Sequence, residues 1–297
     1  MTVKRSYLTD EFIASLNKFS LRARLIVEGF KIGLHKSPYH GFSVEFSDYR
    51  QYNPGDPVAH LDWKVFAKTD RYYIKRYEEE TNLKCYIILD HSASMQYGKG
   101  KWNKLEYGKA LASALAWLMM GQQDAVGLLT YDEEITSYLP PRSLRSYLDE
   151  IFKKLYHLKA GKKTSTATVL HNLAEQVRKR GLIILISDML DDVEEIFGGL
   201  QHFRHLKHEV ILFHVQDKDE LEFDFKKETE FIDSETNERL TVNPWMIRKD
   251  YQKEYKAYTE ELKKRCYEAR IEYNPITTST PFEKNLLDYL VKRSRLY

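Results

Sequence analysis

Hydrophobic and polar positions along this chain follow different periods in different stretches, and the changes of period divide it. From Phe12 to Phe30 the apolar residues fall at helical spacing, with Thr9 or Asp10 as a cap and a break near Ser20, which predicts an N-terminal helix or helix pair. Between Lys36 and Thr69 the period dissolves among Ser37-Pro38, Asn53-Pro54-Gly55-Asp56-Pro57 and scattered aromatics, so this stretch is expected to be an irregular arm of turns. Phe42, Phe46, Tyr49, Tyr52, Trp63 and Phe66 are too many large apolar groups for a disordered segment, and the arm is expected to be ordered. Residues 1–80 therefore read as a helix and arm packed on a main domain of residues 81–297.

After an edge strand over Tyr72 to Tyr77, short apolar runs alternate with amphipathic helices. Strands are expected at Leu83 to Asp90, Ala125 to Thr130, Ile135 to Leu139, Leu182 to Ser187, His208 to Val215 and Ile271 to Ile276, the third an antiparallel neighbour of the second. Helices are expected around Leu111, Leu115, Leu118 and Met119, over Ser143 to Leu155 and Ser165 to Val177, and from Val193 to Phe203. A polar hairpin spans Phe231 to Val242, a long helix opens at Asn243-Pro244, and the capping box Thr280-Pro281-Phe282-Glu283 starts the last helix. Strands and helices alternating at this spacing predict an α/β fold with a mostly parallel central sheet flanked by helices.

Composition then narrows the function. The 297 residues carry 46 basic and 44 acidic side chains, a formal charge of +2, too balanced to steer the chain to nucleic acid or anionic lipid by its overall field. The two cysteines, Cys85 and Cys266, form neither a disulfide framework nor a zinc ribbon. No start region resembles a signal peptide and no apolar run approaches a membrane span, so a cytoplasmic location is the expectation. His202, His205 and His208 lie three apart, but the last begins a strand and the three cannot share one face; they are expected to be solvated. Gly98-Lys99-Gly100-Lys101 lacks the spacing of a phosphate-binding loop, and the Tyr251, Tyr255, Tyr258 stripe reads as packing.

The candidate chemistry sits at strand tips, where ligands bind in open parallel sheets. The first long strand ends Ile87-Ile88-Leu89-Asp90 and runs into His91-Ser92-Ala93-Ser94, presenting one carboxylate and two hydroxyls. A later strand ends in Ser187-Asp188, and Lys163-Thr164-Ser165-Thr166 offers hydroxyls where a helix begins. Hydroxyls and carboxylates in this pattern suit a hard cation such as Mg2+, and hydroxyl ligands leave the ion more residual charge than a carboxylate cage would. An aspartate followed by hydroxyls also occurs in aspartyl-phosphate enzymes, so a metal-dependent phosphohydrolase is the competing reading, weakened by Ser92 at the position where a second acid is usual.

Asp90-x-Ser92-x-Ser94, Thr164 and Asp188 resemble the metal-ion-dependent adhesion site of von Willebrand factor A domains. The arm, His40-Gly41-x-Ser43-x-Glu45-Phe46-x-Asp48-Tyr49-Arg50-x-Tyr52-x-Pro54-Gly55-Asp56 followed by Leu61-Asp62-Trp63-Lys64, is similar to the signature of the MoxR-associated proteins grouped as domain-of-unknown-function family fifty-eight. That resemblance runs from about Leu16 to Val215 and departs from the family at Pro57, Lys162 and Lys163. It implies a Rossmann-like von Willebrand factor A fold and a non-catalytic interaction protein that works with a MoxR-type AAA+ ATPase on client proteins, in remodelling, assembly or cofactor loading. It further implies that Ser92, Ser94 and Thr164 hold Mg2+ directly, with Mn2+ or Ca2+ as substitutes. Asp90 and Asp188 would act directly or through water, and the ion would receive an acidic residue from the partner.

Overall fold

The computed structural model describes residues 44–52, 62–79, 83–98, 102–121, 123–161, 166–177, 180–225, 228–233 and 238–294. The helix expected over Phe12 to Phe30, Asp56 of the arm, the Lys99 to Lys101 segment and the turn at residues 234–237 lie outside the described residues. The chain divides into two compact units, Phe30–Asn82 and the remainder.

In the smaller unit, β1 (Val44–Gln51) pairs antiparallel with β2 (Tyr73–Glu79), and α1 (Trp63–Thr69) lies between them in sequence. Asp62 starts that helix, its Oδ1 accepting from Val65 N at 3.3 Å, while its own N–H donates to Tyr73 O at 2.9 Å. The ring of Phe66 stacks on Tyr72 with centroids 4.5 Å apart. The expectation of an arm without continuous secondary structure is thus corrected. The ladder shifts register between Phe46 and Asp48, so the alternation reverses phase inside β1 and no single period of two runs through it. α1 has seven residues, too few for a helical period to show. The strand expected at Tyr72 to Tyr77 is present, but in this two-stranded ribbon rather than at an edge of the large sheet.

The described elements of the larger unit run β3 (Lys84–Asp90), a 3-10 turn (Ala93–Gln96), α2 (Lys104–Gly121), β4 (Ala125–Tyr131), β5 (Ile135–Arg142), α3 (Tyr147–His157), α4 (Thr166–Gln176) and β6 (Leu182–Ser187). Then follow α5 (Val193–His205), β7 (Glu209–Gln216), α6 (Lys218–Glu222), the hairpin β8 (Thr229–Ile232) and β9 (Arg239–Val242), α7 (Pro244–Glu268), β10 (Glu272–Thr277) and α8 (Phe282–Ser294). Six strands form one sheet in the order β10-β7-β6-β3-β4-β5, all parallel except β5. The inner strands are apolar at nearly every position because both faces are covered, whereas β5 alternates and carries Pro140 and Pro141, as an edge strand can.

Tyr86, Ile88, Ile183 and Leu185 point to one face and share a buried cluster with Leu173 of α4, Phe203 of α5 and Leu262 of α7. On the other face α2 comes so close at Gly108 that a Cβ there would stand 2.9 Å from Leu89 Cδ1, and Tyr289 of α8 packs on Phe213 with ring centroids 4.9 Å apart. His208, expected to be solvated, is fully buried: its Nδ1 accepts from Gly181 N at 3.1 Å and its Nε2 lies 3.0 Å from Val177 O. The histidine satisfies backbone groups where the chain enters β6, a role that its position at a strand start did not reveal.

Gly181 makes that entry possible. A Cβ at this position would lie 2.3 Å from the carbonyl oxygen of Lys84, and backbone cannot move aside as a flexible side chain can. Gly181→Ala is expected to lower stability by about 1–3 kcal/mol. The check is the urea midpoint, which should fall at an unchanged denaturant slope; an unaltered midpoint would show that the strand entry relaxes freely.

Candidate functional site

From β3 the chain passes to β4 on one side and later returns to β6 on the other, so the carboxyl tips of β3 and β6 flank the point where strand order reverses. Diverging connections leave a crevice at such a point. The strands deliver Asp90 and Ser187-Asp188 there because each apolar run ends at these polar residues.

Asp90 is fully engaged. Its Oδ1 accepts from Ser92 N at 2.8 Å, closing the turn that leaves β3, and its Oδ2 accepts from Ser187 Oγ at 2.7 Å across to the neighbouring tip. Ser187 Oγ in turn accepts from Met189 N at 2.9 Å. The Oγ atoms of Ser92 and Ser94 lie 3.0 Å apart, and both residues are buried. Asp188 Oδ1 accepts from Leu190 N at 3.3 Å, and its Oδ2 pairs with Lys104 Nζ at 2.7 Å. Tyr258 of α7 donates from its hydroxyl to Met189 O, pinning the loop after β6.

The structure therefore brings together four of the five expected site residues, Asp90, Ser92, Ser94 and Asp188. Thr164 lies outside the described residues. The described residues on either side of it are tied to the same tips: Gly161 N donates to His91 O at 2.7 Å, and Thr166 N donates to Asp191 Oδ2 at 3.0 Å.

Burial, and then the nearby charge of Asp188, push the Asp90 carboxyl up to about 7, against the opposing hydrogen bonds from Ser92 and Ser187. Burial by itself would discharge Lys104, but Asp188 and then Glu220 outweigh it and hold the ammonium above its ordinary range. Burial lowers His214, on β7 beside Ser187, to about 4.

This donor set fits a hard cation. Two cis ligands of an octahedral Mg2+ with bonds of about 2.1 Å stand about 3 Å apart, and the Ser92 and Ser94 hydroxyl oxygens stand 3.0 Å apart. Burial and the neighbouring charge of Asp188 disfavour the charged form of Asp90, and an added cation would offset that penalty. Among the described residues no three His, Cys, Asp or Glu side chains cluster to hold a metal.

Lys104, Glu220 and Tyr258 were not anticipated as parts of this site. Lys104 left one signal, being a lysine at the first position of a helix, where the macrodipole disfavours a cation. Glu220 belongs to the capping box of α6, and nothing in its local sequence points toward β6. Of the Tyr251, Tyr255, Tyr258 stripe the first two are packing, as expected, with Tyr251 stacked on Phe223 and Tyr255 OH accepting from Gln216 Nε2 at 2.9 Å, whereas Tyr258 also reaches the loop after β6.

Fold and site together define an α/β protein with a mostly parallel six-stranded sheet and a cluster of buried oxygen donors at its switch point. The model of the family described as "Protein of unknown function DUF58" matches residues 48–261, and the chain belongs to that family. The uncharacterized proteins Mb1516 of Mycobacterium bovis and Rv1480 of Mycobacterium tuberculosis are each 24% identical to it over 259 residues, covering 84% of this chain and 79% of theirs. Among solved structures, the conserved hypothetical protein BatB from Bacteroides thetaiotaomicron is similar over 72% of this chain and 99% of its own, with a TM-score of 0.45 and 15% identity. An aerotolerance-related membrane protein from Bacteroides fragilis is similar over 72% of this chain and 100% of its own, with a TM-score of 0.45 and 14% identity. No described helix of the present chain is long and apolar enough to cross a membrane.

Proposed function

We propose that this chain is a non-catalytic protein-interaction module of the von Willebrand factor A type, whose switch-point crevice holds a divalent cation and offers it to a carboxylate of a partner. The observation that carries the reading is the pair of buried hydroxyls, Ser92 and Ser94, set 3.0 Å apart beside a carboxylate that burial leaves under-neutralised. Ser92, Ser94 and Thr164 would hold the ion, with Asp90 and Asp188 behind them. The bound ion would supply an electrophilic point for an incoming Asp or Glu side chain. The chain's own residues do the rest: Ser187 and the Ser92 amide fix both oxygens of Asp90, and Tyr258 fixes the loop that carries Asp188. With both oxygens so engaged, Asp90 is poorly placed to act as a nucleophile, which favours binding over phosphate transfer.

The arm motif and the family resemblance favour a MoxR-type AAA+ ATPase as the partner, acting with this chain on client proteins in the cytoplasm. The test is direct binding of purified full-length protein to the MoxR-type ATPase of the same organism, in Mg2+ and in chelator. Ser92→Ala and metal removal are each expected to weaken binding at least tenfold, about 1.4 kcal/mol. Equal binding under all three conditions would overturn the reading. Mg2+-dependent turnover of p-nitrophenyl phosphate, lost in Asp90→Ala, would replace it with the hydrolase.

A further inference from the structure

Lys104 is the most unexpected charge in the molecule. Its side chain is fully buried, with Nζ 2.7 Å from Asp188 Oδ2 and 2.6 Å from Glu220 Oε1, and the Tyr97 ring centroid lies 5.7 Å away. It stands at the first position of α2, where the backbone dipole repels a cation, and it loses the rotamer freedom of a long side chain. A buried lysine in such a place is held by the carboxylates that it neutralises.

Those two carboxylates belong to different structures. Asp188 directly follows β6 at the switch point and is buried there. Glu220 sits on α6, and its second oxygen accepts from Asp217 N at 2.8 Å. Asp217 follows β7 and accepts from Thr278 Oγ1 at 2.7 Å, just beyond β10. Lys104 thus divides its charge between the crevice and a braced network at the next two strand tips.

We propose that Lys104 sets how tightly the crevice holds its divalent cation, by withholding part of the charge of Asp188 from the ion. This rests on the cation site argued above. An ion beside Asp188 meets a carboxylate that already faces an ammonium, so the two cations compete for one anion. The consequence is a loosely held ion that keeps more of its charge for a partner's carboxylate. Glu220 tempers this effect, because whatever attraction it exerts on Lys104 is lost to Asp188.

The two partners of Lys104 make the test directional. Mn2+ binding to the full-length chain is measured by electron paramagnetic resonance and calorimetry for wild type, Lys104→Met and Glu220→Gln. Lys104→Met, which returns the whole of Asp188 to the crevice, is expected to bind Mn2+ at least tenfold more tightly. Glu220→Gln, which leaves the ammonium to Asp188 alone, is expected to bind it about threefold more weakly. A merely structural lysine would give no change, or loss in both variants, and either result overturns the proposal. If Lys104→Met fails to fold, Glu220→Gln decides, and an unchanged Mn2+ affinity overturns the proposal. Wild type that takes up no Mn2+ would sink the cation reading itself, a result distinct from equal affinity in all three proteins, which sinks only the role of Lys104.

Discussion

Asp90→Asn is expected to make the metal-free protein more stable at pH 8, by up to about 4 kcal/mol. Burial and the charge of Asp188 raise the Asp90 carboxyl from 3.8 to about 7. The folded protein therefore binds this proton more tightly than the unfolded chain does. The stability that the protonated form contributes is complete below the unfolded value of 3.8 and is lost as pH rises through about 7. Asparagine keeps the Oδ1 acceptor for Ser92 N and removes the buried charge, so the gain over wild type should be near zero at pH 4 and greatest at pH 8. Saturating Mg2+ should raise wild-type stability by about 2.7 kcal/mol at one hundred times its dissociation constant, and Asp90→Asn should lose most of that response. Urea unfolding across pH, with and without Mg2+, reads all of this. A variant less stable than wild type at pH 8 would mean that the Asp90 charge is already compensated.

His214 is expected to produce the opposite slope. Burial lowers this imidazole from 6.5 to about 4, with Tyr273 OH 2.7 Å from its Nδ1. The neutral ring is the buried form, so its contribution is present above pH 6.5 and disappears as pH falls toward 4, a loss of about 3 kcal/mol. Between those limits His214 destabilises on acidification while Asp90 stabilises, and the two partly cancel in the wild type. His214→Gln should therefore gain about 3 kcal/mol on wild type between pH 7 and pH 4. Parallel stability curves for the two proteins over that range would rule out a buried neutral histidine.

The site was legible where its chemistry is local. Asp90, Ser92 and Ser94 lie within five residues of one strand end, and the long apolar runs before Asp90 and Asp188 mark strands covered on both faces. Such runs survive in the sequence because burial on both sides permits little else. The arm was less legible. A bulge in β1 reverses the alternation after Phe46, and α1 is too short to show a period. His208 looked like a solvated neighbour of two helix histidines, yet it binds the backbone of Val177 and Gly181.

The alternation of apolar strands and amphipathic helices was enough by itself to determine a mostly parallel sheet with oxygen-bearing side chains at two of its tips, because period and run length are local consequences of which faces are buried. Only the tertiary structure decided that β6 lies beside β3 and β7 beside β6, and hence that Lys104 meets Asp188, 84 positions away, and Glu220, 116 positions away. Strand order is set by the packing of whole faces, and a charge pair formed across it leaves no periodic trace along the chain.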